Sequence, residues 1–216
     1  MNTDITMLLD RTGSMGVVAA DTIKGFNTFL AIQQRSHQGE CVFTLVQFDD
    51  VDPQEVVHDA RPIATVPPLT AETFVPRGNT PLLDALGKAV VRTGERLKAM
   101  APDRRPGKVI FVIVTDGQEN ASHEYTRTRI LDMITHQRDT YRWEFVYLGA
   151  NQDAIKEAAT YGIPAAGTAT YAHTTSGTRA AFAAMSSNVM RQRSGATNTL
   201  TKEEREAMAA QVKTTN

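Results

Sequence analysis

A run of six apolar residues, Val109-Ile-Phe-Val-Ile-Val114, lies near the middle of the chain and leads into Thr115-Asp116. The run is rich in β-branched residues, which favour strands, and it lacks the alternation of a strand with one wet face. A strand that is apolar at every position is typical of a parallel sheet covered by helices on both sides. We therefore expect this strand to be buried on both faces of an α/β fold.

Strand-like and helix-like segments alternate on either side of this run, which indicates a doubly wound sheet. A turn at Asp49–Asp52 separates two of the strands, so these two are expected to form a hairpin. The predicted fold is a Rossmann-like α/β domain: a mostly parallel central sheet of about six strands, one antiparallel edge strand, and helices on both faces. The other predicted strands are Ile5–Leu9, Val42–Phe48, Glu55–His58, Trp143–Leu148 and a short one within Ile163–Ala169. The predicted helices are Asp21–Gln34, a segment from Thr80 to before Pro102, Thr126–Thr135, Asp153–Tyr161 and Thr175–Arg191.

The composition changes near the end of the chain. After Ser194-Gly195 the residues become polar, and Thr201-Lys-Glu-Glu204 has the pattern of a capping box that opens a short helix. We therefore expect a domain over residues 1–193. Residues 194–216 are expected to form a tail that is loosely docked or mobile and dispensable for folding.

Charge and cysteine content argue against several classes of function. The formal net charge is −1 and 22% of residues are charged, so the chain has no strong positive electrostatic field that would attract nucleic acid or an acidic membrane. Cys41 is the only cysteine, which rules out a disulfide within the chain, suits a reducing compartment, and predicts a buried small side chain. The N-terminus lacks a signal-peptide pattern, and no apolar stretch is long enough to span a bilayer. We expect a cytoplasmic protein with no nucleic-acid or membrane partner and predict no particular oligomeric state.

Three segments with oxygen-bearing side chains fall at the carboxyl edge of the predicted sheet. Asp10-Arg-Thr-Gly-Ser14 follows the first strand, and Thr115-Asp116-Gly117 follows the central one. A long loop rich in proline and threonine, residues 61–79, delivers Thr80 as the N-cap of a helix. In the strand order 3-2-1-4-5-6 the first and fourth strands are neighbours where the order reverses, and such sheets bind ligands there. We therefore expect Asp10 and Asp116 to lie close together.

Two carboxylates at a buried edge repel each other, and one would tend to protonate unless a cation lay beside them. A divalent ion such as Mg²⁺ takes oxygen ligands, and hydroxyl groups add neutral oxygens. No cluster of histidine or cysteine accompanies them, so zinc is not expected. Each residue alone has a structural explanation as a helix cap or turn residue, but their combination favours a Mg²⁺ site, with Mn²⁺ or Ca²⁺ as alternatives. The predicted ligands are Asp10, Thr12, Ser14, Thr80 and Asp116.

These segments resemble the metal-ion-dependent adhesion site of von Willebrand factor A domains. The resemblance lies in Leu9–Met15 (LDRTGSM), Gly78–Leu82 (GNTPL) and Val114–Gly117 (VTDG), and it extends from residue 4 to about residue 190. Tyr147–Asn151 also resembles the fifth-strand edge of bacterial and phage members. The resemblance implies the same Rossmann-like fold and a divalent cation.

The resemblance also implies roles for individual residues. The hydroxyl groups of Thr12 and Ser14 would bind the metal directly, although the usual motif has serine where this chain has Thr12. Thr80, Asp10 and Asp116 would bind it directly or through water. In the family a carboxylate of a partner often fills the last metal position, which implies a protein-binding module and not an enzyme. The partner would present Asp or Glu.

The surface around the metal is then the expected contact face. Met15 has an alternative interpretation as a core residue at the start of the first helix, and the nearby His123 is interpreted as plain surface. The expected contact residues are Arg11, Met15, Arg77, Gly78, Gln118, Glu119 and Asn120.

An enzyme is the second hypothesis. The segment Asp10-Arg-Thr-Gly-Ser14 also resembles the nucleophile loop of haloacid dehalogenase-type phosphotransferases, which use Mg²⁺ and would make Asp10 the nucleophile. The second acid expected after Asp116-Gly117 is replaced by Asn120, and no lysine is clearly placed to hold a phosphate. The phosphotransferase therefore ranks below the binding module, and a metal-free scaffold ranks third.

Overall fold

Six strands form a single sheet within residues 2–150 and 153–210, the part of the chain that this computed structural model describes. The strands are β1 (Thr3–Asp10), β2 (Cys41–Phe48), β3 (Glu55–Pro62), β4 (Lys108–Thr115), β5 (Glu144–Ala150) and β6 (Thr168–Tyr171). They lie in the order β3-β2-β1-β4-β5-β6. Neighbours run parallel except β2 and β3, which pair antiparallel at one edge. The predicted Rossmann-like α/β sheet is confirmed.

Helices cover both faces of this sheet. They are α1 (Ala19–Gln34), α2 (Leu82–Ala99), α3 (Arg127–Tyr141), α4 (Ala154–Thr160), α5 (Thr175–Arg193) and α6 (Lys202–Ala209). Helices α1, α5 and α6 bury side chains against one face, and α2, α3 and α4 against the other. In the described part of the chain, no helix is both long and apolar enough to cross a membrane.

The sheet divides the hydrophobic core into two layers, one on each face. This division explains why apolar and polar residues do not alternate in the sequence of β4. Successive side chains of a strand point to opposite faces. Ile110, Val112 and Val114 pack with α1 and α5, whereas Val109, Phe111 and Ile113 pack with α2 and α3. Both sets are buried, so every position of the strand must be apolar. Cys41 is buried as well, as predicted.

Several predicted boundaries are wrong. Strand β3 and helix α3 run past their predicted ends, His58 and Thr135, to Pro62 and Tyr141. The last strand begins only at Thr168, because Pro164 leads into a 3-10 turn over Ala165–Gly167. Helix α2 begins at Leu82, with Pro81 and not Thr80 in the N-cap position. The first amides of this helix instead donate to side chains of the loop after β4, Leu83 to Glu119 and Asp84 to Ser122.

The expectation of a loosely docked tail is also wrong for residues 194–210. Leu200 and Met208 are buried in the core on the α1–α5 face. The guanidinium of Arg205 donates to the backbone carbonyls of Ala165 (2.7 Å) and Ala166 (2.8 Å) and also to that of Thr168. Two buried apolar anchors and one arginine therefore hold a helix whose composition looks polar. The predicted capping box at its start is present, and residues 211–216 lie outside the described residues.

Candidate metal centre

Asp10 is fixed at the end of β1 by two hydrogen bonds. One carboxylate oxygen, Oδ1, accepts from the backbone N–H of Thr12 at 2.7 Å, and Oδ2 accepts from the hydroxyl of Thr115 at 2.6 Å. The side chain is fully buried, with 0% exposure. Since Thr115 ends the neighbouring strand β4, this carboxylate ties together the two strands that the strand order predicted to meet.

The hydroxyl groups of Thr12 and Ser14 lie between Asp10 and the second carboxylate, Asp116. The turn after β1 places the hydroxyl oxygens of Thr12 and Ser14 3.2 Å apart. The Ser14 hydroxyl then donates to Asp116 Oδ1 at 2.7 Å. Ligands at right angles around Mg²⁺, each about 2.1 Å from the ion, lie about 3 Å apart, so this spacing fits adjacent positions of one coordination shell.

The long loop brings Thr80 to the same edge. The N–H of Gly13 donates to the carbonyl of Gly78 at 3.0 Å, and Gly78 adopts a left-handed backbone with φ +68°, which favours glycine. The Thr80 hydroxyl lies so close to Gly117 that a Cβ there would be 2.6 Å from it. Gly117 therefore allows this close approach beside Asp116. We call Asp10, Thr12, Ser14, Thr80 and Asp116 the metal cluster.

The electrostatics of the metal cluster favour a bound cation. Burial raises the pKa of Asp10 to about 7, against the lowering effect of its hydrogen bonds from Thr115 and Thr12. Burial also raises the pKa of Asp116. Among the described residues, no lysine or arginine forms an ion pair with either carboxylate. Asp116 Oδ2 is buried and accepts no hydrogen bond within the described part of the chain. The cluster therefore presents buried negative charge that no arginine or lysine of the described residues compensates.

The donor set fits a hard divalent ion. It consists of two carboxylates and three hydroxyl groups, which are oxygen ligands of the kind that Mg²⁺ takes. A group of three or more histidine, cysteine, aspartate or glutamate side chains able to hold a metal is absent from residues 2–150 and 153–210. The fit therefore rests on hydroxyl oxygens as well as on the carboxylates.

His173 was missed by the sequence analysis. Its Nε2 lies 3.0 Å from Asp116 Oδ2, and its side chain is 16% exposed. His173 follows β6, at the same carboxyl edge as Asp10 and Asp116. The signal was present, but the last strand was predicted to end by Ala169, which left the histidine away from the edge. Thr115, the partner of Asp10, was likewise treated only as a strand end.

Two residues expected on the contact face are buried, which corrects that prediction. Arg11 is 5% exposed and pairs through Nε with Asp49 Oδ2 at 2.6 Å and through its other end with Glu55. Met15 is 0% exposed and belongs to the core. Arg11 is drawn inward because a buried carboxylate such as Asp49 requires a cation.

Of the remaining expected contact residues, some interact with other parts of the chain and others are exposed at the surface. Arg77 is 45% exposed but pairs through Nε with Asp49 at 2.9 Å. The carboxylate of Glu119 accepts from the N–H of Leu83 at 2.9 Å, so it caps helix α2 and is not directed at a partner. The Asn120 side-chain oxygen accepts from the Thr80 N–H at 2.9 Å. Gly78, Gln118 and Asn120 are exposed around the metal cluster.

Comparison with known proteins gives the fold. No family model matches the chain, and no curated protein matches it. Proximal thread matrix protein 1 from the mussel byssus superposes with a TM-score of 0.58 at 18% identity, over 89% of this chain and 46% of that one. The pilus adhesin SpaC from Lactobacillus rhamnosus GG superposes with a TM-score of 0.61 at 12% identity, over 88% of this chain and 30% of that one.

Two further structures link the fold to its named site. A von Willebrand factor type A structure from Catenulispora acidiphila superposes with a TM-score of 0.56 at 15% identity, over 88% of this chain and 42% of that one. The byssus protein is also known with a zinc-occupied metal-ion-dependent adhesion site, with a TM-score of 0.50 at 18% identity, over 78% of this chain and 41% of that one. The chain thus spans less than half the length of these proteins. At such identities the likeness concerns the architecture, and the chain has the von Willebrand factor A fold.

Proposed function

We propose that this chain is a metal-dependent protein-binding module in which the metal cluster holds Mg²⁺. One observation carries this proposal: the buried side chains of Asp10 and Asp116 lie at the carboxyl edge of the sheet, and no arginine or lysine of residues 2–150 and 153–210 pairs with them. Burying a carboxylate without compensation is costly, so a chain that keeps two of them there gains most when a cation binds. The module comprises residues 1–193, on which residues 194–210 pack.

The residues of the metal cluster divide the work of holding the ion. Thr12, Ser14 and Thr80 supply hydroxyl oxygens, while Asp10 and Asp116 supply the negative charge. When bound, the ion provides a Lewis-acidic point of attachment. An Asp or Glu side chain of a protein partner would supply a further oxygen to the ion, and the exposed Gly78, Gln118 and Asn120 would flank that contact.

A binding role is favoured over catalysis by the state of Asp10. In the phosphotransferase hypothesis Asp10 is the nucleophile, and a nucleophile needs an oxygen that can reach the substrate. Asp10 is fully buried, and each of its oxygens accepts a hydrogen bond from the chain. Two proteins with the same fold are named as a matrix protein and an adhesin, and neither name is that of an enzyme. These names describe those proteins, and they are compatible with a non-enzymatic module here.

Calorimetric titration with Mg²⁺ tests the metal. Asp116→Asn removes the charge but keeps the shape, and we expect at least a hundredfold loss of Mg²⁺ affinity with the fold intact. Asp59→Asn is the matched control, because Asp59 is an acidic residue half-exposed on β3 that pairs on the surface with Arg92. Equal Mg²⁺ affinity in both variants would overturn the metal site.

Selection from a displayed library of random peptides tests the partner. Peptides are captured on the full chain in Mg²⁺ and eluted with EDTA, and those recovered should share an Asp or Glu. Changing that residue to its amide should abolish binding. Peptides that stay bound in EDTA, or bind Asp116→Asn equally well, would contradict the binding mode, and Asp10-dependent hydrolysis of p-nitrophenyl phosphate would replace it with the enzyme.

A further inference from the structure

His173 stands at the metal cluster on a turn that the surrounding structure holds in place. The residue before it, Ala172, is buried, and its N–H donates to the carbonyl of Met208 at 3.1 Å, while its carbonyl accepts from Thr174 at 2.8 Å. Thr174 in turn caps helix α5. The backbone on both sides of His173 is therefore held by α6 and by the start of α5.

Asp116 lies between a hydroxyl and this imidazole. Its Oδ1 accepts from Ser14 at 2.7 Å, and its Oδ2 is 3.0 Å from His173 Nε2. The side chain of Asp116 is 1% exposed and that of His173 is 16% exposed, so the nitrogen–oxygen pair is largely shielded from water. A separation of 3.0 Å is also the distance expected between two neighbouring ligands of one small divalent ion.

We propose that His173 is a ligand of the metal centre that raises its affinity for a transition cation, Zn²⁺ or Mn²⁺, and leaves its affinity for Mg²⁺ nearly unchanged. This inference rests on the metal site proposed above. Because Asp10, Asp116 and His173 do not by themselves form a metal-binding group of three in the described part of the chain, the imidazole acts together with the hydroxyl groups and adds a nitrogen donor to a set that otherwise contains only oxygen. Mg²⁺ favours oxygen ligands and keeps several waters, whereas imidazole is a good ligand for zinc and its neighbours in the transition series. The expectation from sequence that zinc is disfavoured rested on the apparent lack of histidine near the site.

A different role for the imidazole predicts the opposite result. If His173 acted as a positive charge that compensates Asp116 in place of a metal, its removal would strengthen the binding of every cation. If it only oriented the Asp116 carboxylate, its removal would weaken Mg²⁺ and Zn²⁺ alike. A ligand role predicts a loss for Zn²⁺ and Mn²⁺ with little change for Mg²⁺.

The experiment compares His173→Gln with His123→Gln in the full chain, prepared without a histidine tag. His123 is an exposed histidine in the loop after β4, so its loss controls for nonspecific zinc binding. Zn²⁺ and Mg²⁺ affinities are measured by competition titration. We expect His173→Gln to lose Zn²⁺ affinity by about 100-fold or more, at or beyond the upper end of the range seen when groups that only orient the ligands are removed. Mg²⁺ affinity should change less than about threefold, and His123→Gln should behave as the wild type.

Pulsed electron paramagnetic resonance of the Mn²⁺-loaded wild type gives a readout that needs no variant. A directly bound imidazole produces modulation of the electron spin echo from its nitrogen, and His173→Gln should abolish that modulation. Bound Mn²⁺ without nitrogen modulation overturns the inference, as do equal losses for Zn²⁺ and Mg²⁺, a gain for both, or no change. If the wild type binds Mg²⁺ but these results appear, only the role of His173 fails. If it binds no divalent cation, the proposed function fails too.

Discussion

Two acidic clusters lie at the same edge of the sheet and begin at adjacent residues, Asp10 and Arg11. In the arginine cluster, formed by Arg11, Asp49, Glu55 and Arg77, the buried carboxylate of Asp49 accepts from Arg11 Nε at 2.6 Å and Arg77 Nε at 2.9 Å. Although burial acts to raise it, the backbone of Asp52 and the two arginines hold the pKa of Asp49 below its ordinary value. In the metal cluster, burial instead raises the pKa of Asp10 to about 7.

The difference shows where each cluster obtains its positive charge. Within the arginine cluster the chain supplies the cations, so its carboxylate stabilises the fold without a ligand. The metal cluster has hydroxyl groups beside its carboxylates in place of arginines, and under the proposed function a cation from solution supplies the positive charge. Both clusters bury an aspartate at the same sheet edge, but the first is compensated by the chain itself and the second, as proposed, by a bound ligand.

Removing the acid of the arginine cluster should have the largest effect. Asp49→Asn leaves the buried guanidinium of Arg11 without its main partner, and breaking a buried pair in this way typically lowers the free energy of unfolding by about 3–5 kcal/mol. Urea unfolding measures this loss. Asp59→Asn breaks a surface pair with Arg92 whose side chains are both about half-exposed, and should cost less than about 1 kcal/mol. Equal small losses in the two variants would mean that the arginine cluster is not structural.

Neutralising Asp10 in the metal cluster should raise the free energy of unfolding, whereas neutralising Asp49 lowers it. In EDTA at pH 8, Asp10→Asn relieves an uncompensated buried charge, and we expect the free energy of unfolding to rise by about 1 kcal/mol. The Thr115 hydroxyl can still donate to the Gly117 carbonyl, now 3.2 Å away, while accepting from the new amide. At a Mg²⁺ concentration of about 100 times Kd the wild type should gain about 2.7 kcal/mol, and Asp10→Asn nothing. A variant destabilised in EDTA would make Asp10 a structural residue like Asp49.

The pH dependence of stability in EDTA should separate the two aspartates. Asp10 has a folded pKa of about 7 against an ordinary value of 3.8, so between these values the folded state holds more protons than the unfolded state. The stability that Asp10 contributes therefore falls as pH rises from about 4 to 7. For Asp49, whose folded pKa is lowered, stability is present above the unfolded pKa and is lost as pH falls through the folded pKa.

Urea titrations at a series of pH values from 4 to 8 measure how the stability contributed by each aspartate changes with pH. The free energy of unfolding of the wild type minus that of Asp10→Asn should decrease across this range. The corresponding difference for Asp49→Asn should increase near pH 4 and then stay level. Parallel curves for the two variants would show that the environments of the two carboxylates are alike, contrary to the hydrogen bonds seen.

The sheet and the meeting of Asp10 with Asp116 could be predicted because their signals are local. Continuous apolarity in β4 reflects two buried faces, and the alternation of strands and helices fixes the strand order that makes β1 and β4 neighbours. Once those strands are adjacent and parallel, Asp10 at the end of β1 and Asp116 just after β4 must lie at one edge. The hydroxyl residues Thr12 and Ser14 follow from the same short turn.

The surroundings of the site could not be predicted because they depend on distant partners. The burial of Arg11 is decided by Asp49, 38 residues away, and nothing near Arg11 in the sequence indicates it. His173 joins the site only if the last strand ends at Tyr171, and that boundary depends on a turn after Pro164. The docking of α6 likewise depends on two apolar residues, Leu200 and Met208, within a polar segment.

The smallest expected effect concerns Thr12, where the family motif usually has serine. Its backbone N–H donates to Asp10 and its hydroxyl lies 3.2 Å from that of Ser14, so the oxygen and not the methyl group faces the metal cluster. Thr12→Ser should therefore change Mg²⁺ affinity less than about threefold and cost about 1 kcal/mol of stability for the buried methyl group.

Thr12→Val is the matched variant, since it keeps the shape and replaces the hydroxyl with a methyl group. It should lower Mg²⁺ affinity at least about tenfold, because a direct oxygen ligand is lost, while the hydrogen bond from the backbone to Asp10 remains. Calorimetry on both variants isolates the hydroxyl from the rest of the turn. Equal affinities for Thr12→Val and Thr12→Ser would remove Thr12 from the metal cluster and leave the ion to Ser14, Thr80 and the two carboxylates.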